Sequence, residues 1–436
     1  MFEARPFFRA LSAVALLVGL TGCPEARAPE APIREPVVQK WLDRATSSYL
    51  AADVDEAQDE IRQALKQAPE DVEIKLWAAR IALARLDFDE VLTVLEGVEG
   101  SEARGLRGRA LWYAGKIDAA ADELEAMLAD PDVRDLWARD IAGLARRGGG
   151  REPFRVSGAS VAMTEMPRVK GTALVVPVEI DGEQALALIA TGTPELTLDS
   201  ATRSQPSWVS LRFGGRIEVK DVPARVQDLS GISRQLNAPI KALIGVHLLR
   251  HLNATIDFGG GQFVVRNFSP PPAPGATKAP VYYLKGGGMV VRTVLRAEQN
   301  AEPVSLLVDT SLDLPLALDE AGWKKAGFEV SQLETLPQDR KLKHGLVPLV
   351  RLGSYDVPNV PAVFGASPGD KLAEIERGLE VDLDGLLGSP VLAELRVTFT
   401  DGGRAMWFEH IDASELEGAA PATSASEPPY GQEGAD

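Results

Sequence analysis

Apolar residues between positions 37 and 147 recur every three or four residues. This spacing places them on one face of a helix, so the region predicts a series of amphipathic helices. Pro69 and Pro131 end two of the apolar stripes. A further helix is predicted near residues 133–145. The principal stripes are Val38, Leu42, Ala45 and Tyr49, then Ala57, Ile61, Leu65 and Ala68, then Trp77, Ile81 and Ala84, and finally Ala120, Leu124 and Leu128.

The predicted turns between these helices also repeat. They begin at Asp55, Asp89 and Asp118, at intervals of 34 and 29 residues. The first interval is the period of a tetratricopeptide repeat, and residues 37–147 resemble about three such repeats. These repeats stack into a concave surface that binds protein segments, so the resemblance implies peptide or protein partners. The alternative is an irregular helical bundle with the same stripes.

After residue 154 the pattern changes to short alternating strands separated by Gly-rich turns. One strand-rich pattern then occurs twice. In each copy an apolar strand runs into a short polar turn, and a later apolar run ends in glycine. The turns are Ala190-Thr191-Gly192 and Asp309-Thr310-Ser311, and the later runs end at Gly245 and Gly388.

Composition narrows the range of functions. Hydrophobic residues make up 45% and charged residues 25% of the 436 residues, as in ordinary globular proteins. A formal net charge of −17 argues against nucleic acid as a partner and against direct attraction to anionic lipids. The single cysteine, Cys23, excludes a disulfide framework and a catalytic thiol. We expect no cofactor and no metal.

The N-terminus has the features of an export signal. Arg5 and Arg9 precede the apolar stretch Ala10–Leu20, which is too short to span a bilayer. The stretch ends in Leu20-Thr21-Gly22-Cys23. These four residues resemble the lipobox of bacterial lipoproteins, in which the cysteine is lipidated and becomes the new N-terminus. The alternative is an ordinary secretory signal with a chance cysteine.

The lipobox resemblance implies a signal peptide over residues 1–22 and a lipid on Cys23. Residues 23–36 are rich in Pro and Ala and predict an extended linker. We expect a protein of the cell envelope that contacts the membrane through its lipid anchor alone. Pro24 follows the cysteine where an aspartate would favour the inner membrane, so the outer membrane, facing the periplasm, is the expected location.

The duplicated β pattern resembles the aspartic peptidases of the pepsin and retropepsin kind, and most of all two retropepsin-like units fused in tandem. The resemblance implies a first lobe over residues 154–268, a Pro-rich linker over 269–280 and a second lobe over 281–411. Residues 412–436 are acidic and lack Lys and Arg, which predicts a disordered tail. The predicted fold is therefore multidomain, with an α-helical repeat array followed by a two-lobed β domain.

The resemblance also assigns roles to the two turns. In the family, two aspartates face each other and share one proton, because like charges so close do not both ionise. One carboxyl activates a water while the other polarises the scissile carbonyl. By resemblance Asp309 is one of these acids, Thr191 and Thr310 join the two loops by hydrogen bonds, and Gly192 allows a tight turn.

The first copy departs from the family at its catalytic position. Ala190 stands where the resemblance places the first aspartate, so Asp309 has no partner. Ser311 replaces a glycine in the second copy, which is a milder change. One carboxylate cannot act as base and acid simultaneously, so the sequence predicts a degenerate active site.

The shorter spacing of the first copy also indicates a degenerate site. From position 190 to position 245 the copy is 55 residues long, whereas the second copy has 79 residues from 309 to 388. The missing residues fall between Leu198 and Leu211, where the family places a helix and the flap hairpin that covers the substrate. We therefore expect the first lobe to lack its flap.

The histidines offer a competing chemistry. His247 and His251 are four residues apart on a predicted short helix, a spacing that suits a metal-binding pair. No third ligand is evident, so we expect surface histidines. His344 is expected in a solvated loop near the flap of the second copy.

Serine and glycine candidates are weaker. The glycine runs at 259–261 and 286–288 lack the Lys and Ser or Thr of a phosphate-binding loop and predict hairpin turns. Ser200 and Ser207 have no histidine and carboxylate at a recognisable spacing.

Together these patterns predict a lipid-anchored protein whose aspartic-peptidase-like domain has lost catalysis and binds peptides or proteins, through the repeats and through the inter-lobe cleft. One alternative is an active aspartic endopeptidase that uses Asp309 with an unidentified second carboxylate. A third hypothesis makes the repeats the functional part and the β domain a rigid spacer.

Overall fold

The computed structural model describes residues 33–337, 339–365, 375–393 and 395–410. It contains a helical part followed by a larger β part, as the sequence predicts. The proposed signal peptide, Cys23 and the acidic tail lie outside the described residues. Within the described residues, no helix combines the length and the apolar character needed to cross a membrane.

Seven helices form the first part, and each packs against the next along the chain. Aspartates cap three of them: the side chains of Asp53, Asp71 and Asp135 accept hydrogen bonds from backbone N–H groups of the first helical turn, which satisfies donors that the helix itself leaves free. The helices are α1 (Pro36–Leu50), α2 (Val54–Gln67), α3 (Val72–Ala84), α4 (Phe88–Val94), α5 (Ser101–Tyr113), α6 (Ile117–Leu128) and α7 (Leu136–Arg147).

The first lobe holds ten strands and two short helices in the described residues. They are β1 (Arg155–Gly158), β2 (Val161–Glu165), β3 (Val175–Ile180), β4 (Glu183–Ile189), β5 (Leu196–Asp199), β6 (Ser207–Phe213), β7 (Ile217–Gln227), α8 (Ser230–Leu236), β8 (Ile240–Ile244), α9 (Val246–His251), β9 (Thr255–Asp257) and β10 (Gln262–Arg266).

The second lobe continues the pattern. Its elements are β11 (Thr277–Pro280), β12 (Tyr282–Leu284), β13 (Gly288–Thr293), β14 (Val304–Asp309), β15 (Leu316–Leu318), α10 (Glu320–Lys325), β16 (Glu334–Leu336), β17 (Asp339–Leu352), β18 (Tyr355–Phe364), β19 (Gly385–Gly388), α11 (Ser389–Leu392), β20 (Leu395–Thr400) and β21 (Ala405–His410).

The two lobes repeat one strand order. In lobe 1 the central strands lie in the order β7-β5-β8-β4-β3, and in lobe 2 the order is β18-β15-β19-β14-β13. The directions also match: β4 runs parallel to β8, as β14 does to β19, whereas β5 and β15 run antiparallel to those partners. Each lobe therefore brings the strand before its polar turn beside the strand that ends in glycine.

The lobes differ where the first copy is shorter. After β15, lobe 2 has helix α10 and then the hairpin formed by β16 and β17. Residues 200–206, between β5 and β6, form neither a helix nor a strand. Helix α10 and the β16–β17 hairpin of lobe 2 thus have no counterpart between β5 and β6 of lobe 1.

A third sheet joins the lobes. Strands β2, β9 and β10 of lobe 1 and β11, β20 and β21 of lobe 2 form one six-stranded sheet, with β9 paired to β20 at its centre. The predicted linker over residues 269–280 is corrected here, because Thr277–Pro280 form β11 and pair with β21. Single-sequence patterns did not reveal this pairing, since it joins segments more than 120 residues apart.

Helices α1 to α3 pack onto lobe 2. Ser305, Leu307 and Asp309 share one face of β14, because side chains alternate along a strand. The hydroxyl of Ser305 donates a hydrogen bond to the backbone carbonyl of Ala51, just after α1, at 2.7 Å. Leu307 lies in one buried apolar cluster with residues of α1, α2 and α3. This first half of the helical array therefore lies on the face of the lobe 2 sheet that carries Asp309.

Candidate functional site

Two threonines lock the polar turns of the lobes together. The Thr191 hydroxyl donates to the carbonyl of Val308 and the Thr310 hydroxyl donates to that of Ile189, both at 2.8 Å. Each hydroxyl also accepts the backbone N–H of the other threonine, at 3.0 and 3.2 Å. Both threonines are fully buried. The residues just before them, Ala190 and Asp309, are consequently held side by side.

Asp309 is half-buried and faces the lobe 1 turn. Its carboxylate accepts hydrogen bonds from the backbone N–H and the hydroxyl of Ser311, at 2.9 and 2.6 Å. These are the side-chain hydrogen bonds that the Asp309 carboxylate makes within the described residues. A Cβ atom on Gly192 would come within 2.4 Å of its Oδ2 atom, so glycine at this position leaves the carboxylate its space.

Ala190 occupies an apolar environment. It is 4% exposed and packs with Leu188 and Leu243 in a small buried cluster. Leu229 and Leu236, from the segment that contains helix α8, complete this cluster. The face of lobe 1 that adjoins position 190 is therefore covered by the protein's own side chains.

A second apolar cluster covers the strands of lobe 2 that lead to the paired turns. Leu307 and Leu386, on the strands that lead to Asp309 and Gly388, belong to the apolar cluster that includes Val381, Leu383 and helices α1 to α3. The backbone N–H of Asp382 donates to the carbonyl of Leu50, at the end of α1, at 2.7 Å. Apolar segments thus flank the paired turns on both sides.

The lobe 1 turn also meets the helical array, at Glu195. This side chain is 1% exposed. Its Oε1 atom accepts hydrogen bonds from the hydroxyl of Tyr113 on α5 at 3.3 Å and from the indole N–H of Trp137 on α7 at 2.9 Å. Its Oε2 atom is buried and has no hydrogen-bond partner within the described residues. Tyr113 also contacts the backbone of Gly286, at the turn between β12 and β13.

Burial shifts the pKa values of Glu195 and Arg250 at this junction. Removal from water raises the pKa of Glu195 above its ordinary value of 4.5, and the two hydrogen bonds oppose that shift only in part. Burial also lowers the pKa of Arg250, whose guanidinium lies over the rings of Tyr113 and Tyr283. A tenfold change in proton affinity corresponds to about 1.4 kcal/mol, so the state of Glu195 affects stability.

We expect the Glu195→Gln variant to gain stability relative to the wild type as pH rises. The folded wild type holds the Glu195 proton more tightly than the unfolded chain, so stability from this group is present below pH 4.5 and is lost as pH rises through the elevated pKa. Glutamine keeps both hydrogen bonds to Oε1 and carries no charge. Urea unfolding at pH 4 and pH 7 measures the change, with Glu183→Gln as an exposed control. Equal pH dependence of wild type and Glu195→Gln would contradict the expectation.

The predicted surface position of His247 is wrong. It is 2% exposed and lies among the rings of Trp112, Tyr113 and Phe154. Burial lowers its pKa well below the ordinary range. His251 stacks on Phe154, with ring centroids 4.2 Å apart. In the described part of the chain, no group of three His, Cys, Asp or Glu side chains is arranged to hold a metal ion.

His344 is also placed differently from the prediction. It lies inside β17 rather than in a loop, directly opposite Glu334 of β16, with 3.8 Å between its Nε2 atom and the carboxylate. Ser200 follows β5 at the surface and Ser207 begins β6. The glycines at 259–261 form a turn between strands, as predicted, and Gly286 and Gly287 form the turn that precedes β13, which begins at Gly288.

The sequence did not single out the residues that join the turn to the helices. Glu195 stands in an apolar strand-like run, which is a weak signal for a buried charge. Tyr113 and Trp137 look like ordinary core aromatics of amphipathic helices, and nothing in their spacing shows that they reach another domain. Only the packing of the array on the lobes reveals this contact.

Comparisons with known proteins give distant structural similarity. No family model matches the chain, and no curated protein matches it. The basic 7S globulin from soybean is similar to 59% of this chain over 95% of its own, at 10% identity and a TM-score of 0.39. A retropepsin-like aspartic protease from Rickettsia conorii is similar to 31% of this chain over 90% of its own, at 17% identity and a TM-score of 0.23.

Proposed function

We propose that this protein is a non-hydrolytic relative of aspartic peptidases that serves protein binding or scaffolding in the cell envelope. One observation carries the proposal. The Thr191 and Thr310 hydrogen bonds hold the two turns in register, yet one of the two positions that they bring together carries a methyl group, Ala190, instead of a carboxyl.

The chemistry of amide hydrolysis explains why this substitution matters. In the aspartic peptidases that the chain resembles, one carboxylate takes a proton from water while a neighbouring carboxylic acid polarises the carbonyl. Asp309 can perform one of these roles at a time. The hydrogen bonds that its carboxylate accepts come from Ser311, a neutral donor, and position 190, where the family carries its second acid, has no carboxyl.

A second chain cannot supply the acid at that position. The place beside Asp309 is filled by the protein's own lobe 1 turn, with Gly192 so close that even a Cβ atom would clash with the carboxylate. The hydroxyl of Thr191 already occupies the contact that a partner's turn would need. Pairing of Asp309 with a carboxyl from another molecule would require this turn to leave.

The flanking clusters support a role without peptide cleavage. On the lobe 1 side Leu229 and Leu236 cover the strand faces beside Ala190. On the lobe 2 side the helical array and residues 375–383 cover the surface around Leu307 and Leu386. An extended substrate would have to displace these apolar side chains to lie across the paired turns, at a cost of about 25 cal/mol for each Å² exposed.

The helical array supports the scaffold part of the proposal. Helices α1, α3, α5 and α7 all contact the β domain: Leu50 and Arg80 approach lobe 2, and Tyr113 and Trp137 reach Glu195. If the array is a tetratricopeptide repeat, its expected binding face is partly occupied by the β domain. We infer that array and lobes work as one body that presents its outer surfaces to partners, tethered to the membrane by a lipid on Cys23.

A peptidase assay tests the proposal. The full chain and its Asp309→Asn and Asp313→Asn variants are incubated at pH 4 to 7 with a mixture of unstructured peptides, and new termini are counted by mass spectrometry. We expect all three proteins to stay at the level of buffer alone. Hydrolysis by the wild type that Asp309→Asn removes and Asp313→Asn retains would establish the alternative, an active endopeptidase based on Asp309.

The Ala190→Asp variant distinguishes two barriers to hydrolysis: the absent second carboxyl and the covered surfaces beside the paired turns. If the absent carboxyl is the sole barrier, this variant gains hydrolysis that the wild type lacks. If the covered surfaces also block the substrate, it stays inactive although it folds. Wild-type cleavage as fast as that of Ala190→Asp would show that the missing acid is not limiting.

A further inference from the structure

The hairpin of β17 and β18 has a surface that the described elements leave exposed around Leu346, Pro348 and Pro361. Leu346 is 57% exposed, and Pro361 lies directly opposite it in the hairpin. Pro348 is exposed two residues along the same face of β17. His344 and Val363 lie next along this face toward β16, where half-buried Val363 packs against the apolar cluster that includes residues of α1 to α3. These residues form an apolar strip along the hairpin, which we call the hairpin strip.

One end of the hairpin strip is basic. Arg340 and Lys341 are exposed at the start of β17, where alternation along the strand places Arg340 on the face of Leu346 and Lys341 on the opposite face. Neither makes an ion pair with another described residue. The strip therefore combines apolar contact area with unpaired positive charge.

The C-terminal segment matches this surface in chemistry. Residues 411–436 carry six acidic side chains and no Lys or Arg. They also include the apolar residues Ile411, Leu416 and Tyr430. The acids are Asp412, Glu415, Glu417, Glu427, Glu433 and Asp436.

The C-terminal segment begins close to the hairpin of β17 and β18. It follows His410, whose ring centroid lies 6.3 Å from that of Tyr355, the first residue of β18. From that end of the hairpin, the 14 residues of β17 extend about 46 Å to the basic end at about 3.3 Å per residue. The 26 residues from 411 to 436 reach about 86 Å when extended.

We propose that residues 411–436 bind the hairpin strip of their own chain, with the acidic side chains at Arg340 and Lys341. Because the segment is tethered at His410, its effective concentration at the strip is about 1 mM, so a weak contact suffices. An intrinsic dissociation constant of about 0.2 mM would leave the strip occupied about five-sixths of the time. The inference does not depend on whether the β domain hydrolyses peptides.

Thiol labelling of the full chain tests this contact. In a Cys23→Ser background, Leu346→Cys places a single thiol in the strip, and its rate of alkylation by iodoacetamide is measured with and without residues 411–436. We expect removal of the segment to increase the rate about sixfold, and 1 M NaCl to increase it in the intact chain because salt screens the charges. Met163→Cys, on a distant sheet edge and 55% exposed, should show no change.

Charge reversal identifies the basic end. Arg340→Glu with Lys341→Glu should raise the labelling rate of the intact chain to that of the shortened one. The matched reversal of Lys66→Glu with Arg216→Glu, two exposed cations without an ion pair in the described residues, should leave it unchanged. Equal rates with and without the segment would overturn the proposal. Protection that grows with protein concentration would also overturn it, in favour of binding to a second copy.

Discussion

Replacing Thr191 with valine is expected to lower the free energy of unfolding by about 3 kcal/mol. Valine keeps the size of the side chain but removes a hydroxyl that donates to Val308 and accepts from the N–H of Thr310. Both of those backbone groups are buried at the lobe interface, and each would be left without its partner. An unsatisfied buried polar group costs about 1–3 kcal/mol, so the loss of two dominates any gain from the added methyl.

Urea unfolding of the full chain measures this change, and Thr164→Val provides the matched control. The Thr164 hydroxyl is also buried but has no hydrogen-bond partner in the described residues. Its removal should be neutral or slightly stabilising, because nothing is left unpaired. If Thr191→Val and Thr164→Val had similar effects, the cross-lobe hydrogen bonds would not be an important source of stability.

The second large effect is expected for Gly388→Ala. A Cβ atom at this position would lie 2.0 Å from the carbonyl oxygen of Leu314 and 2.9 Å from that of Leu312. Both contacts are with backbone, in the loop just after Asp309, so they are not relieved by rotation of a side chain. Overpacking of a core costs about 1–3 kcal/mol, and we expect a value near 3 kcal/mol in urea unfolding.

The control for this substitution is Gly231→Ala, in helix α8. Nothing lies within 4 Å of a Cβ atom at Gly231, and alanine favours the helix by up to about 1 kcal/mol. The two substitutions therefore change stability in opposite directions. A neutral Gly388→Ala variant would mean that the loop after Asp309 shifts at little cost, and that the turn is less rigid than its contacts indicate.

The sequence predicts the helices and the duplicated strands well because both have short-range signals. The stripe that begins at Val38 and the stripe that begins at Ala57 correspond to α1 and α2. The apolar runs that end at Gly245 and Gly388 are strands in the two lobes. Helix α8 escaped prediction because seven residues, Ser230–Leu236, are too few to show a helical period.

The candidate site was predictable where it depends on residue type and not where it depends on packing. Thr191 and Thr310 occupy the positions that the family resemblance gives them, and they make the hydrogen bonds expected there. The burial of His247 was missed because α9 has only six residues, five of which are buried. On such a helix there is no polar face from which to infer exposure.

The position of the array on the lobes could not be inferred at all. Arg292 pairs with Asp53, and Arg225 with Asp140 at 2.7 Å, yet each pair joins residues that are far apart in the sequence. Charged residues of this kind look like ordinary solvated side chains until the partner is known. Contacts of this range depend on three-dimensional complementarity, which a single sequence does not encode in any local pattern.

The duplication within one chain also explains how the two lobes could become unequal. In a dimer of identical one-lobe subunits, a single mutation changes both acids of the pair at once. Here codon 190 and codon 309 mutate independently, so alanine at one leaves the aspartate at the other. The same independence allows α8 to cover strands of lobe 1 and α1 to α3 to pack onto the sheet of lobe 2, without either feature being repeated in the other lobe.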